Sequence, residues 1–459
     1  MKTNELYLKF DELYKEQDFF DKLEITIEVV IPKIEEKNDN LYEIKEINCK
    51  LPIGKSEKLK KLKDKISDLN DSLDKYYFNG NSNWKLFYVY KELIQIFEEL
   101  FDDSYTRNYY RGQAHDWQMK AGLFRNDVID DFKKEFESIY EDIAYKYPET
   151  IQYVDINNKE ELKYDKDFKL RENDMAYLQH YGLRTTLIDI TENPFIGLLF
   201  LTSDINSFKN ATFDMYNVNI QRHTTNNLFS RVKMLNRNKR IIAQKGAFFN
   251  FEKLLLLLNE VDKNVDNENI DKIPLLRVKL NYNYEHIDYL NQKIHKMNQK
   301  IPLDESKIKY LEERIKSKDK IFEENMESLE NMKKDENQDL EKFSEILSES
   351  KKIFKELKTK RNHNFALRKK LSKLRKELKD LEFDKEKEIN TIENYLYPEI
   401  CKEIREKLRQ YHYVENELFP DIYKHIGYIQ NSFLSNNKNK DSIKIDDDSK
   451  NIMNLLEIE

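Results

Sequence analysis

The sequence predicts an α+β protein, with a mixed sheet and surrounding helices interrupted by a long antiparallel coiled-coil hairpin. Up to about residue 283, β-branched and aromatic segments alternate with amphipathic helical ones, a pattern typical of a sheet covered by helices. After that point, apolar residues repeat at spacings of three and four for roughly 100 residues, which is the pattern of a coiled coil.

The composition bounds the class of protein. The 459 residues are 39% hydrophobic and 12% aromatic, enough for a real core, while 36% charged residues predict an elongated, solvent-exposed part. The net charge of -7 comes from well-mixed Lys, Glu and Asp, so there is no overall basic field that would attract nucleic acid. Cys49 and Cys401 have no CxxC partner, and no metal site is predicted. Because no apolar run could span a bilayer, we expect a cytoplasmic protein without a membrane partner.

The first elements alternate in type. Residues 1–78 are predicted to be an N-terminal accessory region, with helical sequence, a β-branched strand at 24–31 and a basic helix at 56–73. Residues 79–283 are predicted to be the first part of the main domain. Its expected elements are helices at 83–101 and 128–145, a helix ending at His180, strand-like segments at 211–220 and 240–251, an apolar helix at 252–261 and a strand at 274–282.

Glycine is scarce, with only eight in the chain, so each one points to a demand of backbone geometry. Gly112, Gly182 and Gly246 lie in short runs of polar and aromatic residues. Gly182 is expected to end a helix, and the following "TENPF" to start the next one. There Thr191 or Asn193 can cap the helix, and the proline suits its first turn.

Residues 284–394 are predicted to form the hairpin, with its tip near Asp335. Arms of about 50 helical residues would extend roughly 70–80 Å, and Pro302 is expected to kink or split the first arm. The hairpin is either a solvated spacer or dimerisation arm, or an arm that recognises a protein partner. Globular sequence resumes at 395–434, so the hairpin is interpreted as an insertion, and the polar tail at 435–459 is expected to be disordered.

Four motifs, in order, resemble the signature runs of the FRG domain, a family named for its Phe/Tyr-Arg-Gly motif. They are "YYRGQAHDW" with "GLFRN" downstream, "QHYGLRTTLIDITENPFIGLLF", "RIIAQKGAFF" and "ENELFPDIYKHIGYI". The resemblance covers roughly residues 80–283 and 395–432. Family members typically have Gly-Leu-Pro-Thr-Arg-Leu-Leu-Asp-Trp-Thr in the central run, where this chain has Arg184 for the proline, Thr186 for the arginine and Ile190 for the tryptophan. If the family's arginine contacts a ligand, Arg184 would have to reach it from a different angle.

The motifs also supply candidate site residues. Arg111 beside a glycine is a rigid, charged fork suited to a phosphate or carboxylate, His180 offers a titratable imidazole, and Asp189 is the one acid in the core of its run. These three are the predicted catalytic residues. The predicted ligand-binding residues are Gln113, Tyr181, Arg184, Thr186, Arg240 and Gln244. In the alternative, purely structural interpretation, Arg111 pairs with Asp189 and His180 is a satisfied core histidine.

Three functional hypotheses remain open. The resemblance to FRG domains implies an effector or toxin of a bacterial anti-phage defence or toxin-antitoxin system. The order of Arg, His-Tyr and Gln is similar to that of ADP-ribosyltransferase sites, which makes NAD a candidate substrate, with Asp189 or Glu192 as the acid that orients the ribose. A second hypothesis is metal-independent RNA cleavage, with His180 as general acid or base. The third is a non-catalytic module that senses a nucleotide and signals to a partner, or to a second copy, through the hairpin.

Overall fold

The computed structural model describes residues 3–32, 41–50, 57–75, 77–78, 81–82, 84–101, 103–156, 165–231, 239–257, 269–334 and 339–414. It confirms the predicted α+β fold, with an eight-stranded sheet, surrounding helices and a long helical hairpin. The predicted hairpin tip near Asp335, the closing motif at 415–429, the tail at 435–459 and the end of the apolar helix at 258–261 lie outside the described residues.

The described chain forms two compact units. The first comprises the described residues up to Val29, those from Glu43 to Tyr282 and those from Tyr397 onward. The second comprises the described residues between Val30 and Tyr42 together with those from Asn283 to Leu396. The domain boundaries predicted from the sequence stay predictions, because compactness alone does not define a domain.

The described residues form ten strands and thirteen α-helices. The strands are β1 (Phe20–Ile31), β2 (Glu43–Lys50), β3 (Tyr77–Phe78), β4 (Asn81–Ser82), β5 (Thr106–Gln113), β6 (Leu187–Thr191), β7 (Thr212–Asn219), β8 (Phe229–Ser230), β9 (Gly246–Asn250) and β10 (Ile273–Tyr284). The α-helices are α1 (Thr3–Leu13), α2 (Glu16–Phe19), α3 (Glu57–Lys75), α4 (Leu86–Phe101), α5 (Asp130–Lys146), α6 (Asp165–His180), α7 (Pro194–Leu201), α8 (Ile220–Asn226), α9 (Lys239–Gln244), α10 (Leu254–Leu257), α11 (Glu285–Met332), α12 (Leu340–Thr391) and α13 (Tyr397–Gln410).

The sheet has the strand order β2-β1-β10-β7-β5-β6-β9-β8. Strand β5 pairs antiparallel with both β7 and β6, and β6 pairs antiparallel with β9. Arg111 on β5 therefore lies one strand away from Asp189 on β6, in the interior of the sheet. Strands β1 and β2, from the predicted accessory region, belong to the same sheet, a pairing that the sequence did not predict.

Helix α7 packs unusually close to β5. A Cβ atom on Gly112 would lie 1.9 Å from the carbonyl oxygen of Gly197 and 2.5 Å from the backbone nitrogen of Leu201. Only glycine permits this approach, since backbone atoms cannot move aside as a side chain can. The start of α7 is as predicted, because the Asn193 side chain accepts a hydrogen bond of 3.0 Å from the Phe195 amide and Pro194 occupies the first turn.

Helix α6 is held in the core by a buried arginine. Arg171 is fully buried and forms hydrogen-bonded ion pairs with Glu252, at 2.9 Å, and with Glu137 on α5. Arg171 also donates a hydrogen bond of 2.9 Å to the hydroxyl of Tyr7 on α1, and this hydroxyl donates to Glu137. This network fixes α6, and the chain leaves the helix through Gly182, whose φ of +97° is the left-handed conformation expected of a helix-breaking glycine.

The second unit is an antiparallel pair of long helices. Ion pairs between α11 and α12 show that the helices run in opposite directions. Asp319 of α11 pairs with Arg361 of α12, and Glu305, earlier in α11, pairs with Arg375, later in α12. Pro302 lies inside α11 without splitting it, so of the two expected effects only a kink stays a prediction. Contacts on either side of the proline, such as that of Asp304 with Lys370 at 3.1 Å, hold the helix against its neighbour. Within the described ranges, no helix combines the length and apolar character needed to cross a bilayer.

Two local expectations differ from the structure. Residues 240–251, expected to be strand-like throughout, begin as helix α9 and become strand β9 only from Gly246. Strand β6 was not predicted. It is a five-residue strand whose residues other than Asp189 are buried, and such a short apolar run cannot be distinguished by its periodicity from part of a helix.

Candidate functional site

A cleft of about 380 Å³ lies where β5, β6 and β9 meet the end of α6. The predicted residues that line it are Arg111, Gln113, His180, Arg184, Asp189 and Gln244. Residues from three separate motifs therefore converge on one cavity, whose volume is in the usual range for small-molecule sites.

Arg111 lies on the interior strand β5 and is half-buried. Its buried Nη1 atom has no hydrogen-bond partner among the described residues, although an arginine donor in a protein interior is normally satisfied. The neighbouring Asp214, opposite Arg111 in the β5–β7 register, is instead engaged by Arg277 through two hydrogen bonds of 2.7 and 2.8 Å. Arg111 is thus left with donor capacity at the cleft.

Gln113, two residues further along β5, is also incompletely satisfied. Its Nε2 donates to Thr212 Oγ1 at 3.0 Å, whereas its buried Oε1 has no hydrogen-bond partner in the described part of the chain. The side chain is almost fully buried and lines the cleft, so an acceptor is available at the cavity wall. Together with Arg111 it presents a donor and an acceptor from one rigid strand.

Asp189 lies in the middle of β6. Its Oδ2 accepts a hydrogen bond of 2.7 Å from Gln179 Nε2, and Gln179 is oriented in turn by the Thr185 hydroxyl, which donates to its Oε1. The carboxyl has surface exposed to the cleft yet is enclosed by protein. This removal from bulk water raises the pKa of Asp189, against the opposing effects of Arg111, the Gln179 hydrogen bond, Arg240 and Arg125.

The walls of the cleft are rich in arginine. Besides Arg111 they contain Arg125, whose guanidinium lies 4.9 Å from the ring centroid of Trp117, and Arg184, which pairs with Asp127 at 2.8 Å. Burial lowers the pKa of Arg125, and the like charges of Arg111 and Arg184 lower it further. The lowered pKa of Arg125 between two other guanidinium groups indicates a site with an excess of positive charge.

His180 and Gln244 also line the cleft, at the ends of α6 and α9. The His180 carbonyl accepts a hydrogen bond of 3.0 Å from Arg240 Nη1, and the Gln244 carbonyl accepts one of 2.6 Å from the Thr191 hydroxyl. The backbones of both residues are therefore fixed by neighbouring elements. The expected convergence of Arg111, His180, Asp189 and Gln244 on one cleft is observed, while their chemical roles stay predictions.

Three predicted ligand-binding residues lie outside the lining. Tyr181 is 66% exposed and packs against Tyr177, with the two hydroxyls 3.3 Å apart. Thr186 is fully buried, and Arg240 donates a hydrogen bond to the carbonyl of His180 while its charge opposes the rise in the pKa of Asp189. Glu192, the alternative candidate for the acid that orients the ribose, also lies outside the cleft lining and accepts a hydrogen bond of 3.0 Å from the Tyr109 hydroxyl.

The sequence did not single out three residues of the site. Trp117 and Arg125 form the stacked pair at one wall, and Gln179 positions Asp189. Arg125 lies in the "GLFRN" run, so the motif itself was a usable signal. Among the described residues, no group of three or more His, Cys, Asp or Glu is placed to hold a metal ion.

Residues 106–210 match the model of the FRG domain. The chain contains an FRG domain. The matched segment runs from β5 to the end of the turn before β7, and so includes Arg111, Arg125, His180 and Asp189. No curated protein and no solved structure matches the chain significantly. Most of the cleft of the FRG domain is thus built from the family's own segment, with Gln244 added from beyond it.

Proposed function

We propose that the cleft of the FRG domain binds a nucleotide through its phosphate groups and that the protein acts on this nucleotide as an effector enzyme. The observation that supports this most is that Arg111, Arg125 and Arg184 line the same cleft as Asp189, a carboxyl whose pKa is raised. Such a site favours an anionic ligand and offers one titratable group to the ligand's reacting part.

The charges favour a phosphate over a neutral ligand. Asp127 pairs with Arg184, but Nη1 of Arg111 has no partner among the described residues, and Arg125 has a lowered pKa that an incoming anion would restore. Guanidinium groups bind phosphate through two parallel hydrogen bonds. Trp117 at the same wall, with Arg125 stacked on it, adds an aromatic surface next to the charge.

NAD is the first candidate substrate. In ADP-ribosyl transfer or NAD cleavage, nicotinamide leaves the ribose with the bonding electrons, positive charge develops on the ribose, and an acceptor group or water forms the new bond to the same carbon and loses a proton. The Asp189 carboxylate would accept a hydrogen bond from a ribose hydroxyl and stabilise that charge, while Arg111 holds the diphosphate. A role in bacterial anti-phage defence or as a toxin is part of the same proposal and rests on the resemblance to stand-alone FRG effectors.

Two other functions, RNA cleavage and nucleotide sensing without turnover, would use the same cleft. In RNA cleavage, His180 at the cleft would move the proton and Arg111 would stabilise the phosphorane. In a sensing module, the unsatisfied Arg111 and Gln113 atoms would bind a nucleotide without turnover. The same cleft serves all three, so the test must measure binding and turnover separately.

The test incubates the full chain with radiolabelled NAD and, separately, with labelled RNA, and measures nucleotide binding by calorimetry. Arg111→Ala should weaken binding about tenfold or more, since a charge-assisted bidentate contact is lost. Asp189→Asn should retain binding and lose turnover. Arg107→Ala is the matched control, because Arg107 lies on the same strand but outside the cleft lining. Binding without any product would assign the sensing function, and the absence of binding to NAD, mononucleotides and RNA would refute the proposal.

A further inference from the structure

The hairpin has an apolar face that its own two arms do not cover. Leu340, Leu347, Phe354 and Phe365 on α12 follow one another at spacings of 7, 7 and 11 residues, which place them on one side of a helix. All four are exposed, Leu340 at 73% and Phe365 at 72%. The seam between the arms uses different residues, such as the buried Ile353, Leu357 and Leu371.

The contacts between the arms show that this face extends onto α11. The ring of Phe354 lies 6.0 Å from that of Phe322, and the exposed Met326 follows one turn later. Next to Phe365, a groove of about 850 Å³ is lined by both helices, including Lys316 and the cross-arm pair of Asp319 with Arg361 at 2.7 Å. The face is therefore a broad surface of the paired helices.

Charge is distributed unevenly along this surface. Near the tip, the end of α11 is acidic, with Glu323, Glu324, Glu327 and Glu330. The middle of α12 is strongly basic, and between residues 355 and 379 the only acids are Glu356 and Glu377, among Lys355, Lys358, Lys360, Arg361, Arg368, Lys369, Lys370, Lys373, Arg375, Lys376 and Lys379. Several of these cations are paired across the arms, but Lys358 and Glu330 form no ion pair within the part of the chain that the structure describes.

We propose that this face binds the same face of a second copy of the chain. In a two-fold, antiparallel arrangement centred near Phe354, the acidic end of each hairpin covers the basic middle of the other. Leu340 then meets Phe365 of the second copy, and Glu330 lies opposite Lys358 of the second copy. A surface with opposite charges on the two sides of its centre is self-complementary under two-fold symmetry.

The exposed apolar area agrees with a dimer of this kind. Five large side chains (Met326, Leu340, Leu347, Phe354 and Phe365) each leave on the order of 100 Å² uncovered, which is about 500 Å² per copy. A pair of copies would bury about 1,000 Å² from these residues alone, near the lower limit for a specific interface. A nucleic acid on the basic segment is less suitable, because it would leave Leu340 and Leu347 exposed and would not pair with the acidic end that contains Glu323 and Glu330.

The first test compares the mass of the full chain in solution over a range of concentrations by sedimentation equilibrium. The unaltered protein should form a dimer, and the double variant Phe354→Glu/Phe365→Glu should raise the dimer Kd about tenfold or more, since it puts charges at the two-fold centre and opposite Leu340. Leu303→Glu is the matched control, since Leu303 is also large and exposed on the hairpin but lies on a different side of α11. It should leave the Kd unchanged, and circular dichroism should show equal helix content in all three proteins.

A charge exchange provides the second test, which remains valid if the double phenylalanine variant does not fold. Glu330→Lys and Lys358→Glu should each raise the Kd about two- to fivefold, and the two changes together should restore it. A monomer at all concentrations, or a dimer that none of these changes affects, would overturn the proposal. So would binding of a labelled oligonucleotide to a monomer that depends on Lys358.

Discussion

Asp189 combines two conditions that rarely occur together. Arginines surround it, which alone would lower the pKa of its carboxyl, yet enclosure in the cleft has the larger effect and the pKa is raised. The ionised form is therefore less favourable in the folded protein than in water. The fold therefore places a carboxyl with a raised pKa at the wall of a cleft, which is a usual mark of a functional residue.

This residue leads to a prediction about pH and stability. An acid whose pKa is raised on folding costs stability as the pH rises from its unfolded value, near 4, through its folded value. Asp189→Asn removes that cost and keeps an acceptor for Gln179, so the Tm of the variant should exceed that of the parent at pH 7, and the difference should shrink as the pH falls to about 4. Thermal unfolding followed by fluorescence between pH 4 and pH 8 measures this.

The control for this prediction is Asp127→Asn, which removes a carboxyl that pairs with Arg184 at the exposed rim. That change should lower the Tm slightly or leave it unchanged. A Tm for Asp189→Asn below that of the parent at pH 7 would show instead that the carboxylate stabilises the fold through its arginines.

The sequence located much of the site but not the orientation of its side chains. Arg111, His180 and Asp189 could be assigned because the family motifs put them in order along the chain. Tyr181 was expected beside them, but it lies one residue past the end of α6 and packs back against Tyr177, outside the cleft. The role of Gln179 depends on a contact across ten residues, which no local pattern indicates.

At the level of elements, the backbones of strand β5 and helix α7 approach each other closely at Gly112. Gly112→Ala places a methyl group within 1.9 Å of a backbone oxygen, so helix α7 must shift away from the strand. We expect a loss of about 2–4 kcal/mol in the free energy of unfolding, measured by urea denaturation, because overpacking against a backbone cannot be relieved by a rotamer change.

Gly246→Ala is the matched control for this change. A Cβ atom there would lie 3.5 Å from the nearest atom of Ile241, an ordinary van der Waals contact, and the residue also lines the cleft. Its effect should be under about 1 kcal/mol. Equal losses for the two variants would mean that the close approach of α7 is not what requires glycine at position 112.

The predictability of each element followed from its length and exposure. The long amphipathic helices α4, α5, α11 and α12 were predicted because a helix with one buried side shows its period in the sequence. Strand β6 and helix α9 were not, since β6 is short and largely buried, and α9 has only six residues before the sequence continues into a strand. The pairing of β1 and β2 with the sheet is a long-range contact, and the alternation of residues within a strand does not specify its partner.

At the scale of the whole molecule, the N-terminal region, which the sequence suggested is an accessory region, is part of the first unit's hydrophobic core. The N-terminal residues Tyr7, Phe10 and Phe20 are fully or almost fully buried in the same hydrophobic core as Ile188 of β6. The N-terminal region thus belongs to the core that supports the cleft, although it lies outside the segment that matches the FRG family. The hairpin, in contrast, belongs to the second compact unit.

This difference predicts opposite results for two deletions. The rings of Tyr282 and Tyr397, on either side of the hairpin in sequence, lie 5.4 Å apart, so a Gly-Ser linker of about six residues, with a reach of about 20 Å, can replace residues 285–394. The shortened protein should unfold cooperatively and bind nucleotide with a Kd within about twofold of the parent, since every residue lining the cleft remains. Removing residues 1–31 should instead abolish folding, because it deletes strand β1 and the Tyr7 contact to Arg171. Calorimetry of binding together with thermal unfolding distinguishes the two, and a folded, binding-competent protein without residues 1–31 would show that this region is an accessory after all.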